Sequence, residues 1–212
     1  NNTALTRLDC NDNQLTSLDV TKNTALDELY VNNNQLTSLD VSKNTQLQYL
    51  YVNGNLLTSL DVSNNTALTW LQCNANKLTS LDVSNNTALR NLTCADNQLT
   101  SLDVTKNTGL RWLYCHDNKL TSLDMSRNTE LFGLFCVNNS LTSLNMRNGV
   151  TDSLKLFQIE TNPSLTCIET LDPDYATANW TSANGNIDAG VTFAVICGGT
   201  DLTTWHVATT GS

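Results

Sequence analysis

The chain has 212 residues, with 11 basic and 20 acidic side chains, a net charge of −9 and only 15% charged residues. That length buries an ample core, whereas an acidic chain without a basic stripe lacks the phosphate-neutralising footprint of nucleic-acid binding and is repelled by anionic membranes. No apolar run approaches the ~20 residues of a membrane span, so neither nucleic acid nor membrane insertion is expected.

From Asn2 the chain repeats itself every 21 residues. Seven units begin at Asn2, Asn23, Asn44, Asn65, Asn86, Asn107 and Asn128 and approximate N-T-x-L-x-x-L-x-C-x-x-N-x-L-T-S-L-D-V-x-x. The N-terminus, NNTALTRLDC, has no signal-peptide pattern and starts in phase with the repeat, as a mature or trimmed fragment would. The spacing L-x-x-L-x-L-x-x-N-x-L is that of a leucine-rich repeat. One coil cannot bury its leucines alone, so the coils stack and their leucine columns merge into one core. The expected architecture is an α/β-type repeat solenoid: a right-handed coil with a parallel sheet on the concave face, little regular helix and a C-terminal cap. In the first coil the strand is expected over Arg7 to Asn11, with Leu8 and Cys10 inward and Arg7, Asp9 and Asn11 outward.

Each constant column has a scaffold reading. Asn13, Asn34, Asn55, Asn76, Asn97, Asn118 and Asn139 fall where the chain leaves the strand, and their amides are expected to satisfy turn backbone groups. A second asparagine column, Asn23 through Asn128, ends the return path. Asp19, Asp40, Asp61, Asp82, Asp103 and Asp124 stack like charges at ~4.8 Å. Capping of backbone amides is the expected compensation, since no coil offers the clustered oxygens of a calcium site. The Thr-Ser pairs, such as Thr58-Ser59, are read as cover for a tightly wound backbone. Cys10, Cys73, Cys94, Cys115 and Cys136 share an inward column with Val31 and Val52, which makes them small hydrophobes in a reduced, buried column.

The outward strand columns vary. Reading every 21 residues gives Arg7, Glu28, Tyr49, Trp70, Asn91, Trp112, Gly133 and then Asp9, Tyr30, Tyr51, Gln72, Thr93, Tyr114, Phe135. Eight of the chain's 13 aromatic residues lie in the seven coils, and seven of those eight occupy these two columns; Phe132 precedes them by one position. None is needed to fill the leucine core, so large rings are being placed on a surface, the mark of an interaction site. Tyr30, Tyr49, Tyr51 and Trp70 form one expected cluster and Trp112, Tyr114, Phe132 and Phe135 another, with a polar gap of about 14 Å between Tyr51 and Tyr114 at ~4.8 Å per strand. Arg90, Arg111, His116 and Asp117 border the second cluster.

Residues 149–198 break the period. A degenerate eighth unit, LKLFQIETNPSL, runs from Leu154, and the rest is expected to cap the core, with VTFAVIC at 191–197 adding a strand at the sheet edge. Cys167 and Cys197 lie outside the repeat and are expected to form one disulfide, favouring an oxidising compartment. Residues 199–212 read as a tail or linker. The division is therefore 1–148 for seven repeats, 149–198 for the degenerate repeat and cap, and 199–212 for the tail.

Catalysis requires a convergent nucleophile, base and orienting group. The chain has only His116 and His206 as imidazoles, its repeat thiols point inward, and no phosphate loop or zinc spacing occurs, so no catalytic residue, metal or cofactor is assigned.

The units LQCNANKLTSLDVSNNTAL and LTCADNQLTSLDVTKNTGL resemble the short cysteine-containing bacterial leucine-rich repeats of internalin-type adhesins and of secreted Bacteroidetes proteins; the match covers residues 2–148. The stretch NPSLTCIETLDPDYATANWTSANGNIDAGVTFAVICG looks like the C-terminal cap of the flavobacterial secreted versions. The resemblance implies an extracellular or cell-surface protein whose concave sheet binds a partner, usually protein. Alternative expectations are polysaccharide binding by the same rings and a self-assembling structural solenoid; the sequence sets no oligomeric state.

Overall fold

The computed structural model describes residues 2–198. The residues 199–212, read above as a tail, lie outside the described residues. In chain order the strands are β1 (Arg7–Asp9), β2 (Glu28–Tyr30), β3 (Tyr49–Tyr51), β4 (Trp70–Gln72), β5 (Asn91–Thr93), β6 (Trp112–Tyr114), β7 (Ser122–Asp124), β8 (Gly133–Phe135), β9 (Ser143–Met146), β10 (Leu156–Gln158), β11 (Cys167–Thr170) and β12 (Thr192–Ala194). One seven-residue helix, α1 (Pro173–Asn179), lies between β11 and β12. The protein is a parallel-sheet solenoid with little helix.

An eight-stranded parallel sheet runs β1-β2-β3-β4-β5-β6-β8-β10. Its register follows the period, as in Leu29↔Leu50 and Leu50↔Leu71. It slips only at the last pair, where Leu134 meets Phe157, a step of 23 residues rather than 21. Each strand is three residues long, shorter than the Arg7–Asn11 span expected, because the following turn takes a left-handed residue: Asp12 has φ 55° and Asn33 φ 53°. The same left-handed position recurs in every coil through Thr161 and holds mostly Asn, Asp and Gly, the residues that tolerate it.

The two asparagine columns join coil to coil. Asn34 donates through Nδ2 to the carbonyls of Val31 and Asn32 in its own coil and of Cys10 in the coil before, while its Oδ1 accepts from Leu15 N at 2.9 Å. Asn65, fully buried, donates to Val41 O at 3.0 Å and Asn44 O at 2.8 Å. The aspartate column caps locally: Asp61 Oδ1 accepts from Ser63 N, and Asp103 Oδ1 from both Thr105 N and Thr105 Oγ1. These bonds hold the Asp61 carboxyl below the usual range, the side-chain bond from Ser63 first and its backbone amide second. The stacked carboxylates are thus compensated by donors two residues on.

The core is one continuous leucine stack from Val20 to Ile187. Cys73, Cys94, Cys115 and Cys136 lie in it fully buried as free thiols, with Cys10 half-buried at the first coil. Burial pushes the Cys73 thiol up to about 12.

A second parallel sheet, in the order β12-β11-β9-β7, was not foreseen; it forms where the Thr-Ser-Leu-Asp segments of the last coils straighten enough to pair, as in Leu123↔Leu144. The segment VTFAVIC contributes β12 to this sheet's edge, not to the main one. At this end Trp180 stacks on Phe157 with centroids 4.0 Å apart, and Cys167 is disulfide-bonded to Cys197 across a Cα–Cα distance of 5.9 Å.

Candidate functional site

In β2 to β6 and in β8 the middle leucine of the triplet is drawn into the core: Leu29, Leu50, Leu71, Leu92, Leu113 and Leu134 are all fully buried. Side-chain alternation then forces both flanking residues onto the outer face of the main sheet. In-register pairing lines them up in two rows, Tyr49 beside Trp70 and Tyr30 beside Tyr51, Trp112 beside Gly133 and Tyr114 beside Phe135.

The first cluster is a stack. Tyr30 and Tyr51 have centroids 4.7 Å apart with planes 23° from parallel, and Tyr51 continues to Trp70 at 6.3 Å and 19°. Tyr49 shares the row with Trp70 but enters no ring pair among the described residues. Arg7 covers one end: its guanidinium sits 4.6 Å from the Tyr30 centroid and 2.9 Å from Glu28 Oε2, which also accepts from Tyr30 Oη at 3.1 Å. Burial, and next the bond to Glu28, raises the Tyr30 phenol; burial raises Tyr51. Trp70 Nε1 is shielded from water without a partner among the described residues. A buried donor left unpaired is costly.

The second cluster is a platform. Trp112 and Tyr114 lie within 10° of parallel at 6.1 Å, Phe132 meets Trp112 edge-on at 5.0 Å, and Phe135 meets Tyr114 at 6.1 Å. Gly133 makes this possible: a Cβ there would overlap Cε3 and Cζ3 of the Trp112 ring, so the indole lies directly over strand β8. Phe132, 40% exposed, is the most open ring of the set.

Charged residues frame the second cluster. Arg90 and Arg111 both approach Glu130, at 3.4 and 3.9 Å, a partner that sequence reasoning missed; its signal was its place two residues before Phe132. These exposed pairs add little stability. His116 packs edge-on against Phe135 at 4.6 Å, with Nε2 4.0 Å from carboxylate oxygens of both Asp96 and Asp117. Adjacent strand residues would face opposite ways, but Asp117 takes the left-handed turn, φ 53°, which swings its carboxylate back beside the imidazole. Gln72, Asn91 and Thr93 form the polar strip between the clusters. Cys167 and Cys197 stand apart from both, lining a depression on the second sheet with Asp124, Asn145 and Glu169.

Residues 3–44 match the family described as Leucine Rich repeats (2 copies). Among solved structures, the functional domain of InlJ from Listeria monocytogenes, described as including a cysteine ladder, is 40% identical over 80% of this chain, with a TM-score of 0.65. An internalin from the same species is 25% identical over 73% of the chain (TM-score 0.58), and a leucine-rich-repeat protein from Leptospira interrogans shares the fold at 24% identity over 79% (TM-score 0.67). The chain spans 40%, 51% and 50% of those three chains. No curated protein matches its sequence. With a free-thiol column inside a 21-residue leucine coil, the chain has the leucine-rich-repeat fold and is similar to bacterial leucine-rich-repeat proteins of the internalin type.

Proposed function

We propose that the chain is a non-catalytic recognition module that binds a protein partner through the aromatic face of its main sheet, at the cell surface or outside the cell. The observation that carries this reading is the placement of the rings. They are absent from the constant columns, gathered into two groups on one face, and bordered by Arg7, Arg90, Arg111 and His116 in the manner of an interface with apolar anchors and a polar rim. Kinship with internalins, which are surface or secreted scaffolds for interaction, supports the same class of function. Residues 149–198 serve in this reading as the cap that keeps the core closed, through Trp180 on Phe157.

A second reading is polysaccharide binding, favoured by one observation: the near-parallel Trp112 and Tyr114 rings offer a flat surface on which a sugar ring can stack. One experiment tests both. The immobilised chain is challenged with extracellular proteins and a polysaccharide panel, beside a Tyr51→Ala/Trp112→Ala variant with an unchanged circular dichroism spectrum. Retention by the wild type and its loss in the variant is the expected result, and protease sensitivity of the retained material separates protein from glycan. Equal retention by both forms would remove the aromatic face from consideration.

A further inference from the structure

The left-handed turn column holds two carboxylates in succession at one place. Along it run Asp12, Asn33, Gly54, Ala75, Asp96, Asp117 and Asn138. Where an aspartate is followed by an asparagine, the two pair: Asn33 Nδ2 donates to Asp12 Oδ1 at 2.7 Å, and Asn138 Nδ2 donates to Asp117 Oδ1. Asp96 is followed by Asp117 instead, so the amide that would neutralise it is replaced by a second negative charge one strand spacing away, ~4.8 Å in the backbone.

His116 supplies a third donor at that spot. Its Nε2 is 4.0 Å from Asp96 Oδ2 and 4.0 Å from Asp117 Oδ2, and the three donor atoms lie within 4.8 Å of one another. The ring is held against the edge of Phe135 with planes at 83°, its side chain is 25% exposed, and Nδ1 is closed off from solvent. Nε2 is therefore the nitrogen presented to the carboxylates. Four ångströms is too long for a hydrogen bond. It is a separation that a cation at ~2.1 Å from each donor bridges with a small side-chain adjustment. One imidazole nitrogen and two carboxylate oxygens suit borderline ions of the zinc class, whereas calcium takes six to eight oxygens and magnesium retains its water.

We propose that Asp96, His116 and Asp117 form a binding site for a divalent transition-metal ion of the zinc class, with its remaining coordination positions open to solvent at the rim of the second aromatic cluster. The site stands independently of what the aromatic face binds. The four buried thiols do not compete for the ion, because they are enclosed in the leucine core.

The test is calorimetric titration of zinc chloride into the full chain carrying His206→Ala, which removes the other imidazole, with the histidine side-chain nitrogen spectrum recorded in parallel. Saturable binding of one equivalent is expected, weakened by about tenfold or more in Asp96→Asn and in His116→Gln, and unchanged in Asp124→Asn on the other sheet. Calcium chloride in excess is expected not to displace the ion. On the unsubstituted side chain, the His116 Nε2 resonance should move at one equivalent, a readout that survives even if a variant folds poorly. No saturable binding, zinc binding indifferent to Asp96→Asn and His116→Gln, or an unmoved Nε2 resonance would each overturn the site.

Discussion

At the residue scale, asparagine does in this protein what a helix or a wide sheet does elsewhere: it pairs backbone groups that the tight coil leaves open. Asn44, Asn65, Asn86, Asn107 and Asn128 are fully buried, and each donates to carbonyls of the coil before. Their Oδ1 atoms have no partner among the described residues, so the side chain's value lies in its two N–H groups. Asn65→Ala removes both bonds and also the unpaired oxygen, so a loss of about 2 kcal/mol in urea unfolding is expected. Asn65→Asp should cost more, because it sets a carboxylate oxygen against the carbonyls of Val41 and Asn44. The neighbouring Asn64→Ala, which loses only an exposed 3.5 Å contact to Ser42, should be close to neutral. A larger effect from Asn64 than from Asn65 would contradict this assignment of roles.

At the element scale, a strand of three residues has one inward and two outward positions, so the central leucine fixes where its neighbours go. That is why the two aromatic rows are legible in the sequence, and why Glu130 and the seating of Trp112 are not: contacts between coils at the strand entrance depend on side-chain rotamers rather than on period. Gly133 is the sharpest case. In sequence it is simply the member of the outward column that carries no side chain, whereas the structure makes it the floor under an indole. Gly133→Ala is expected to lift Trp112 out of line with Tyr114. The change should appear in near-ultraviolet circular dichroism with little loss of secondary structure, and it should reduce capture of any partner that Trp112→Ala also loses. An unchanged near-ultraviolet spectrum would show that the ring does not need the glycine.

On the scale of the whole molecule, stability is a sum over stacked coils, and the thiol column gives that sum a pH dependence. Cys73, Cys94 and Cys115 are buried, and burial is the first cause raising each thiol, to about 12 for Cys73 and well above the ordinary value of 9.0 for the other two. The unfolded chain loses these protons near 9.0 while the folded chain keeps them. The contribution of the neutral thiols is therefore fully present below pH 9 and is lost as pH rises from 9 towards 12, at about 1.4 kcal/mol per thiol per pH unit. A Cys73→Val/Cys94→Val/Cys115→Val variant keeps the column apolar, as Val31 and Val52 already do. Its urea midpoint should fall less steeply than the wild type's between pH 9 and 11, with the two similar at pH 7. Parallel curves across that range would exclude the thiols as the alkaline trigger.

The sequence by itself determined the solenoid, the register of its seven regular coils and the face that carries the rings, because a strict 21-residue period leaves the leucines one way to be buried and alternation then assigns every outward position. It also separated the thiols that substitute for valine from the two outside the repeat. Only the tertiary structure decided which outward residues touch: that Tyr51 bridges Tyr30 and Trp70 while Tyr49 stands aside, that Arg90 and Arg111 share Glu130, and that His116 meets two aspartates. It decided as well that the last Ser-Leu-Asp segments pair into a second sheet. Period fixes the position of each Cα along the stack, but the direction of a long side chain, the sign of φ in a turn and the straightness of a return segment depend on the neighbouring coils, and those are set only when the coils are packed together.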